Sequence, residues 1–167
     1  FETNSSIRTV EWKNNKVVMI DQTKLPNQLV FVEYDDYTQV ADAIRNLVVR
    51  GAPAIGVSGA FGLALAVLQS NSETKENLIL DLQKAKQILF ETRPTAVNLA
   101  WGLEQIMKVA KTGSHVTEIK NLVIAAAKDM ADRDIEINKT MGKFGAKLFE
   151  NNDTIMTHCN AGALATV

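Results

Sequence analysis

Residues 50–68 read R-G-A-P-A-I-G-V-S-G-A-F-G-L-A-L-A-V-L. After Arg50 the stretch carries no charge, and it is apolar nearly all round. A helix of that composition has no polar face to offer water, so the pattern predicts a helix buried on every side. Such a helix needs other helices around it, and the flanking sequence supplies them. Val40, Ala43, Ile44, Leu47 and Val48 recur at helical spacing from Thr38 onward. Beyond a polar loop and N-cap at residues 70–74, S-N-S-E-T, helices are expected over about 75–91, 96–111 and 116–149. The last is expected to bend or break near Gly142 or Gly145. Thr112-Gly113-Ser114 marks one helix end and the next helix start.

Upstream the composition changes, and the first run, I-R-T-V-E-W, alternates. I-R-T-V-E-W, K-V-V-M-I-D and Q-L-V-F-V-E-Y, within residues 7–34, are rich in β-branched and aromatic residues and read as strands. Asn14-Asn15 between the first two reads as a tight hairpin, and Pro26-Asn27 lies in the second connection. The three make a small antiparallel meander. Downstream, D-T-I-M-T-H-C (153–159) is a short β-prone run, and N-A-G-A-L-A-T-V (160–167) looks helical. A strand followed by a helix is half of a βαβ unit, and a parallel strand needs neighbours to complete its hydrogen bonds. The expectation is therefore an α+β domain over residues 1–150, and over 151–167 the start of an α/β domain that continues past Val167.

The totals narrow the function classes. With 167 residues the chain can bury one sizeable core, and 46% hydrophobic residues is ordinary for a globular protein. Lys and Arg number 18 against 19 Asp and Glu, so no global field draws in nucleic acid or anionic lipid, and any anion binding is local. One cysteine cannot form an internal disulfide, and no apolar run of about 18 residues is uninterrupted. The first residues lack a basic-then-apolar leader pattern. A soluble, cytoplasmic protein that binds neither nucleic acid nor membrane is expected. Walker-type loops, G-x-G-x-x-G and Cys/His metal clusters are absent from the sequence.

Three stretches can carry chemistry. In R-G-A-P-A-I-G, Pro53 suits the first helical position, Gly51 and Ala52 let backbone approach a ligand, and Arg50 stands before a helix N-terminus, which favours anions. The competing reading is a helix start whose small residues permit tight packing. T-R-P-T-A-V-N-L-A-W (92–101) repeats the grammar, with Arg93 ahead of Pro94 opening a helix and Asn98 on the first turn. Two Arg–Pro helix starts could converge on one anion, with Arg as the natural fork for phosphate; alternatively Arg93 is an exposed side chain near a cap. Cys159 ends the expected strand. A thiol there, beside a helix N-terminus, has a lowered pKa and serves as acid, base or nucleophile, whereas a free cysteine elsewhere is a small buried hydrophobe. His158 points to the opposite face of a strand, so no direct dyad with Cys159 is expected. His115 is expected to be exposed at a helix start. The charges of K-D-M-A-D-R-D-I-E-I-N-K form a solvated face from which Asp132 or Asn138 could point inward.

Taken together, V-R-G-A-P-A-I-G-V, T-R-P-T-A-V-N-L-A-W and T-H-C-N-A-G-A-L-A-T resemble the signature segments of the 5-methylthioribose-1-phosphate isomerase family. Ribose-1,5-bisphosphate isomerases and the regulatory subunits of the translation-initiation guanine-nucleotide exchange factor are related to it. The resemblance implies a β-meander and helical-bundle domain, then a larger Rossmann-like domain that mediates homodimer formation, with the active site between them. It implies aldose–ketose isomerisation of 5-methylthioribose 1-phosphate in methionine salvage, with a phosphorylated sugar as partner and no metal or redox cofactor. It places the catalytic cysteine at Cys159, the substrate-contacting loop at Arg50, Gly51 and Ala52, and a second substrate-binding arginine at Arg93. The family's catalytic aspartate falls beyond Val167, so this stretch alone is expected to be inactive. G-K-F-G at 142–145 departs from the Gly-Glu-His-Gly of many members, which touches a packing detail at Phe144. The alternatives are a non-catalytic regulatory subunit of the exchange-factor kind, or a ribose-1,5-bisphosphate isomerase.

Overall fold

A computed structural model describes residues 7–167. Residues 1–6, on which the leader expectation bears, lie outside the described residues. The chain enters through β1 (Val10–Lys13), β2 (Lys16–Ile20) and β3 (Phe31–Tyr34), an antiparallel meander in the order β1-β2-β3. Asn14 and Asn15 both adopt positive φ, 51° and 60°, as a two-residue hairpin with matching twist requires. Alternation then directs Val10, Val17 and Met19 inward. Half-buried Trp12 sets its ring 5.7 Å from that of Phe61. The outer strands are shorter than the sequence pattern implied, because pairing holds only across the registers Val10↔Met19 to Lys13↔Lys16 and Val17↔Tyr34 to Ile20↔Phe31.

Helix α1 (Tyr37–Arg45) opens on a capping box: Asp36 accepts from the Thr38 N–H, and Gln39 reaches back to the Asp36 N–H. Leu47 and Val48 are not in this helix, contrary to their spacing. The chain leaves through Leu47 at φ 61°, with the Val48 N–H bonded to the Ala43 carbonyl and the Leu47 N–H to that of Ile44. This is the Schellman termination, carried here by a residue with a side chain.

Helix α2 (Ala52–Gln69) is the expected central helix, buried from Ala54 through Val67. It meets α1, α3 (Lys75–Phe90), α4 (Val97–Thr112), α5 (Val116–Gly145) and the sheet. By length and composition α2 could cross a membrane, but most of its surface is covered by the protein's own elements. Helix α3 starts on Thr74, whose hydroxyl accepts from the Asn77 N–H, and buries Leu78, Leu82, Ala85 and Leu89 along one stripe. Helix α5 is capped by His115, exposed as expected, whose Nδ1 accepts from the Glu118 N–H; the Glu118 carboxylate in turn accepts from the Ser114 N–H at 2.7 Å. Its core stripe, Ile119, Val123, Ala127 and Ala131, stops well before the helix does. Further on, Ile137, Met141, Phe144 and Leu148 are exposed. The helix runs through Gly142, ends at Gly145 and tightens into a 3₁₀ turn, Ala146–Leu148.

The final segment departs from expectation. Residues 153–159 form no strand: the described sheet is the N-terminal meander, and the β-prone run finds no partner backbone. Residues 160–167 form a three-residue 3₁₀ turn, Ala163–Ala165, in place of a helix. Gly162, at φ 90° and ψ −170°, holds its backbone outside the helical region just before that turn. The architecture is α+β, three antiparallel strands against a five-helix bundle, among the described residues.

Candidate functional site

The candidate residues lie where three segments meet at one end of the bundle. The first is the start of α2. Gly51 precedes it at φ 95° and ψ 141°, a conformation that a residue with a Cβ resists. Ala52 is the first helical residue and Pro53 the second, one place later than the sequence suggested. Proline is still within the first turn, where its missing N–H leaves no intrahelical bond unmade. No side chain caps this terminus. Arg50 and Ala52 are exposed.

The second segment is the start of α4. Here Pro94 does not open the helix. Residues 93–96 form a turn closed by the Ala96 N–H on the Arg93 carbonyl at 3.0 Å, and α4 begins at Val97. Proline's fixed φ suits the second position of such a turn. The Thr92 hydroxyl donates to the Leu89 carbonyl at the end of α3, so it is engaged in ending that helix. Ala96 supplies no side-chain cap, so the first N–H groups of α4 are also open. Among the described residues neither Arg50 nor Arg93 has an ion-pair or side-chain hydrogen-bond partner.

The two helix starts do converge. A Cβ on Gly56 would lie 2.8 Å from the Asn98 carbonyl oxygen, and one on Gly102 would lie 2.6 Å from the Gly56 carbonyl oxygen. Backbones this close are possible only with glycine at the crossing. Gly56 is four residues into α2, about 6 Å along its axis, and Asn98 is one residue past the start of α4. Two positive dipole ends and two unpaired guanidinium groups therefore share one end of the molecule.

The third segment follows Cys159. The Thr9 hydroxyl donates to the Ala163 carbonyl at 2.8 Å, the Gln22 Nε2 donates to the Leu164 carbonyl at 2.8 Å, and the Val167 N–H donates to Asp134 Oδ2 at 3.0 Å. Ala165 is buried directly against Gly51: a Cβ on Gly51 would come within 2.3 Å of the Ala165 Cα. Burial raises the Asp134 carboxyl above its ordinary range, opposed by the Val167 N–H and the Asn138 amide. Asp134 and Asn138 are both half-buried, so of the two residues expected to turn inward Asn138 does and Asp132 does not. Asp132 instead pairs with Arg8 at 2.8 Å at the surface, and the half-buried Asn138 donates to the Asp134 carbonyl.

Cys159 itself is exposed, at φ 63°, on the stretch leading into this anchored turn. The helix expected to flank it is replaced by the short 3₁₀ turn, so no extended helix dipole bears on the thiol. His158 is exposed. The structure thus joins Arg50, Gly51 and Ala52 to the α4 start near Arg93 and to the segment downstream of Cys159, and it leaves the thiol free of contacts with them. A cleft of about 790 Å³ lies beside this region. It is lined by Arg8, Asp132, Lys139, Gly162 and Ala163 among others, and by none of the five candidate residues. No group of three or more His, Cys, Asp or Glu side chains suited to a metal occurs among the described residues.

Thr9, Gln22 and Asp134 were not singled out from the sequence. The pair Asp21-Gln22 at the end of a strand was the available signal. Nothing local distinguishes a buried glutamine from a solvated one.

Residues 48–167 match the model of the initiation factor 2 subunit family. The chain belongs to that family. Within it, the chain is 44% identical over 163 residues to the methylthioribose-1-phosphate isomerase of Geobacter metallireducens, covering 96% of this chain and 47% of that protein. It is 47% identical over 162 residues to the putative methylthioribose-1-phosphate isomerase of Pyrococcus horikoshii, covering 96% and 44%. The crystal structure of 5-methylthioribose 1-phosphate isomerase from Pyrococcus horikoshii OT3 superposes with a TM-score of 0.89 at 46% identity, over 96% of this chain and 45% of that one. That of translation initiation factor eIF-2B, subunit delta, from A. fulgidus gives 0.88 at 44% identity, over 97% and 47%. The chain therefore spans about half the length of the relatives it matches, and its meander and bundle correspond to the N-terminal part of this family's fold.

Proposed function

We propose that this chain is the N-terminal part of an aldose–ketose isomerase that converts 5-methylthioribose 1-phosphate to 5-methylthioribulose 1-phosphate. The observation that carries the reading is the 44–47% identity, over 96% of the chain, to relatives bearing that name. The converging helix starts support it chemically. Arg50, the open N–H groups behind Gly51 and Ala52, and Arg93 would hold the phosphate through charge-assisted bonds. With the phosphate on the anomeric carbon, the ring cannot open to a free aldehyde in the ordinary way. In a proton-transfer route, one group protonates the ring oxygen and another moves a proton from C2 to C1. In this reading Cys159 takes one of these roles and a carboxylate of a following domain the other. A hydride shift between the same carbons is the competing route. Residues 151–167 would begin that following, Rossmann-like domain, and residues 1–167 alone would not turn over substrate.

Cys159→Ser in the complete protein tests the assignment: turnover is expected to vanish while the thermal transition stays in place. Undiminished turnover in that variant would remove Cys159 from the mechanism. The resemblance to eIF-2B subunit delta favours a second reading, a subunit that assembles and does not catalyse. Titration of the complete protein with 5-methylthioribose 1-phosphate and with ribose 1,5-bisphosphate separates the cases. Binding of neither sugar supports the assembly reading, and tighter binding of the bisphosphate changes the substrate.

A further inference from the structure

We infer that Gln22, together with Thr9, is a positioning residue that ties the chain following Cys159 to the chain entering the Arg50–Gly51–Ala52 turn. The inference rests on the isomerase reading for its functional part and on hydrogen-bond geometry for the rest. Gln22 is 8% exposed and Thr9 3%. The Gln22 backbone N–H donates to the Val48 carbonyl at 2.9 Å, and its side-chain amide donates to the Leu164 carbonyl at 2.8 Å. One residue thus spans two segments that lie far apart in the sequence. Val48 is two residues before Arg50, and Leu164 is five residues after Cys159. By chain reach those residues lie no more than about 7 Å and about 17 Å from their anchors.

The backbone of this tether is itself fixed. The Ile20 N–H donates to the Thr9 carbonyl at 3.0 Å, and the Asp21 N–H to the Val30 carbonyl at 2.8 Å. The Asp21 carboxylate accepts from both the N–H and the hydroxyl of Thr23, which holds the turn after β2. Two buried donors, one beside each strand end, thereby face two consecutive carbonyls, those of Ala163 and Leu164. With the segment docked both donors are buried and paired; removing either donor would leave a carbonyl of the turn without that partner. Contact of Ala165 with Gly51 then closes the triangle between sheet, substrate loop and cysteine segment. Neither Gln22 nor Thr9 needs to touch substrate. Their effect would pass through the placement of Cys159 relative to Arg50.

The test uses the complete protein and three variants. Gln22→Met keeps length and removes the donor, Thr9→Val does the same for the hydroxyl, and Thr9→Ser retains it. Amide exchange at Ala165 and Val167 is expected to quicken about tenfold in Gln22→Met and Thr9→Val. Amides of α3 should be unaffected, and Thr9→Ser should behave as wild type. Because the Val48 bond comes from backbone, KM for the phosphosugar should hold while kcat falls. Wild-type exchange at Ala165 and Val167 in both donor-less variants would overturn the tether. Faster exchange with unchanged kcat would overturn its role in positioning. If the wild-type protein does not isomerise the phosphosugar at all, the isomerase reading fails, and the exchange data still decide whether the tether exists.

Discussion

Gly51→Ala places a single methyl group where the structure has least room for one. Two terms act against the substitution and one favours it. The backbone at φ 95° and ψ 141° lies in a region that costs a residue with a Cβ about 1–3 kcal/mol. Stiffening of the unfolded chain by alanine acts the other way and offsets about 0.4–1 kcal/mol of that cost. The second term is steric. The new Cβ would sit 2.3 Å from the Ala165 Cα and 2.5 Å from its carbonyl oxygen. These are backbone atoms, so no rotamer change relieves the overlap. The 163–167 segment must lift off, and the bonds from Thr9, Gln22 and Val167 go with it. Undocking frees five residues as it forfeits those bonds, so the global loss stays near the backbone term, about 1–2 kcal/mol. At roughly 2–4 °C per kcal/mol for a chain of this size, the melting temperature should drop by about 2–8 °C. Far-UV circular dichroism reads that shift, and amide exchange should show Ala165 and Val167 losing protection while α2 and α3 keep theirs. An unshifted melting temperature with full protection of Val167 would refute the reasoning.

Leu47→Gly should stabilise the protein by up to about 1 kcal/mol, because Leu47 holds a left-handed conformation that glycine adopts freely; urea midpoints measure it. Two carboxyls should make opposing contributions to the pH dependence of stability. The hydroxyls of Ser70 and Ser72 hold Asp81 below its ordinary pKa of 3.8, so its contribution is present above that value and lost as pH falls through the lowered one. Burial holds Asp134 above 3.8, so its contribution is present below that value and lost as pH rises through the raised one. In urea titrations between about pH 3 and 7, Asp81→Asn should weaken the acid-side loss, and Asp134→Asn should gain on wild type as pH rises. Phe144→Ser should change the stability of residues 1–167 by less than about 0.5 kcal/mol, since that side chain is 64% exposed at the far end of α5.

Local rules made most of the fold legible. The β-branched run K-V-V-M-I, the Asn14-Asn15 turn and the apolar run after Pro53 each have one physical solution, and each appears as expected. The misses share a cause. Leu47 carries the right spacing for a helix, but the helix ends where the chain must turn toward α2. Residues 153–159 have strand composition, and a strand without a partner is only an extended chain. Pro94 fits a helix start and a turn equally well, and the Arg93–Ala96 hydrogen bond chooses the turn. Of the candidate site, Arg50, Gly51, Arg93 and Cys159 were visible as residue types in a suggestive order. That Thr9 and Gln22 hold the segment after Cys159 depends on tertiary burial, which no spacing rule encodes.

The all-round apolar character of α2 has a consequence for synthesis. The helix is finished at Gln69, but the stripe of α5 that helps cover it is complete only at Ala131, 62 residues later. At ordinary ribosomal speeds that gap lasts roughly 3–12 s. At its start the nascent chain carries an 18-residue uncharged helix with only α1 and the sheet for shelter; α3 and α4 follow within the interval, and the α5 stripe comes last. A hazardous time for this molecule therefore falls while the bundle is still being made, and slowing translation of residues 70–131 should lower the soluble yield more than slowing it across residues 7–69.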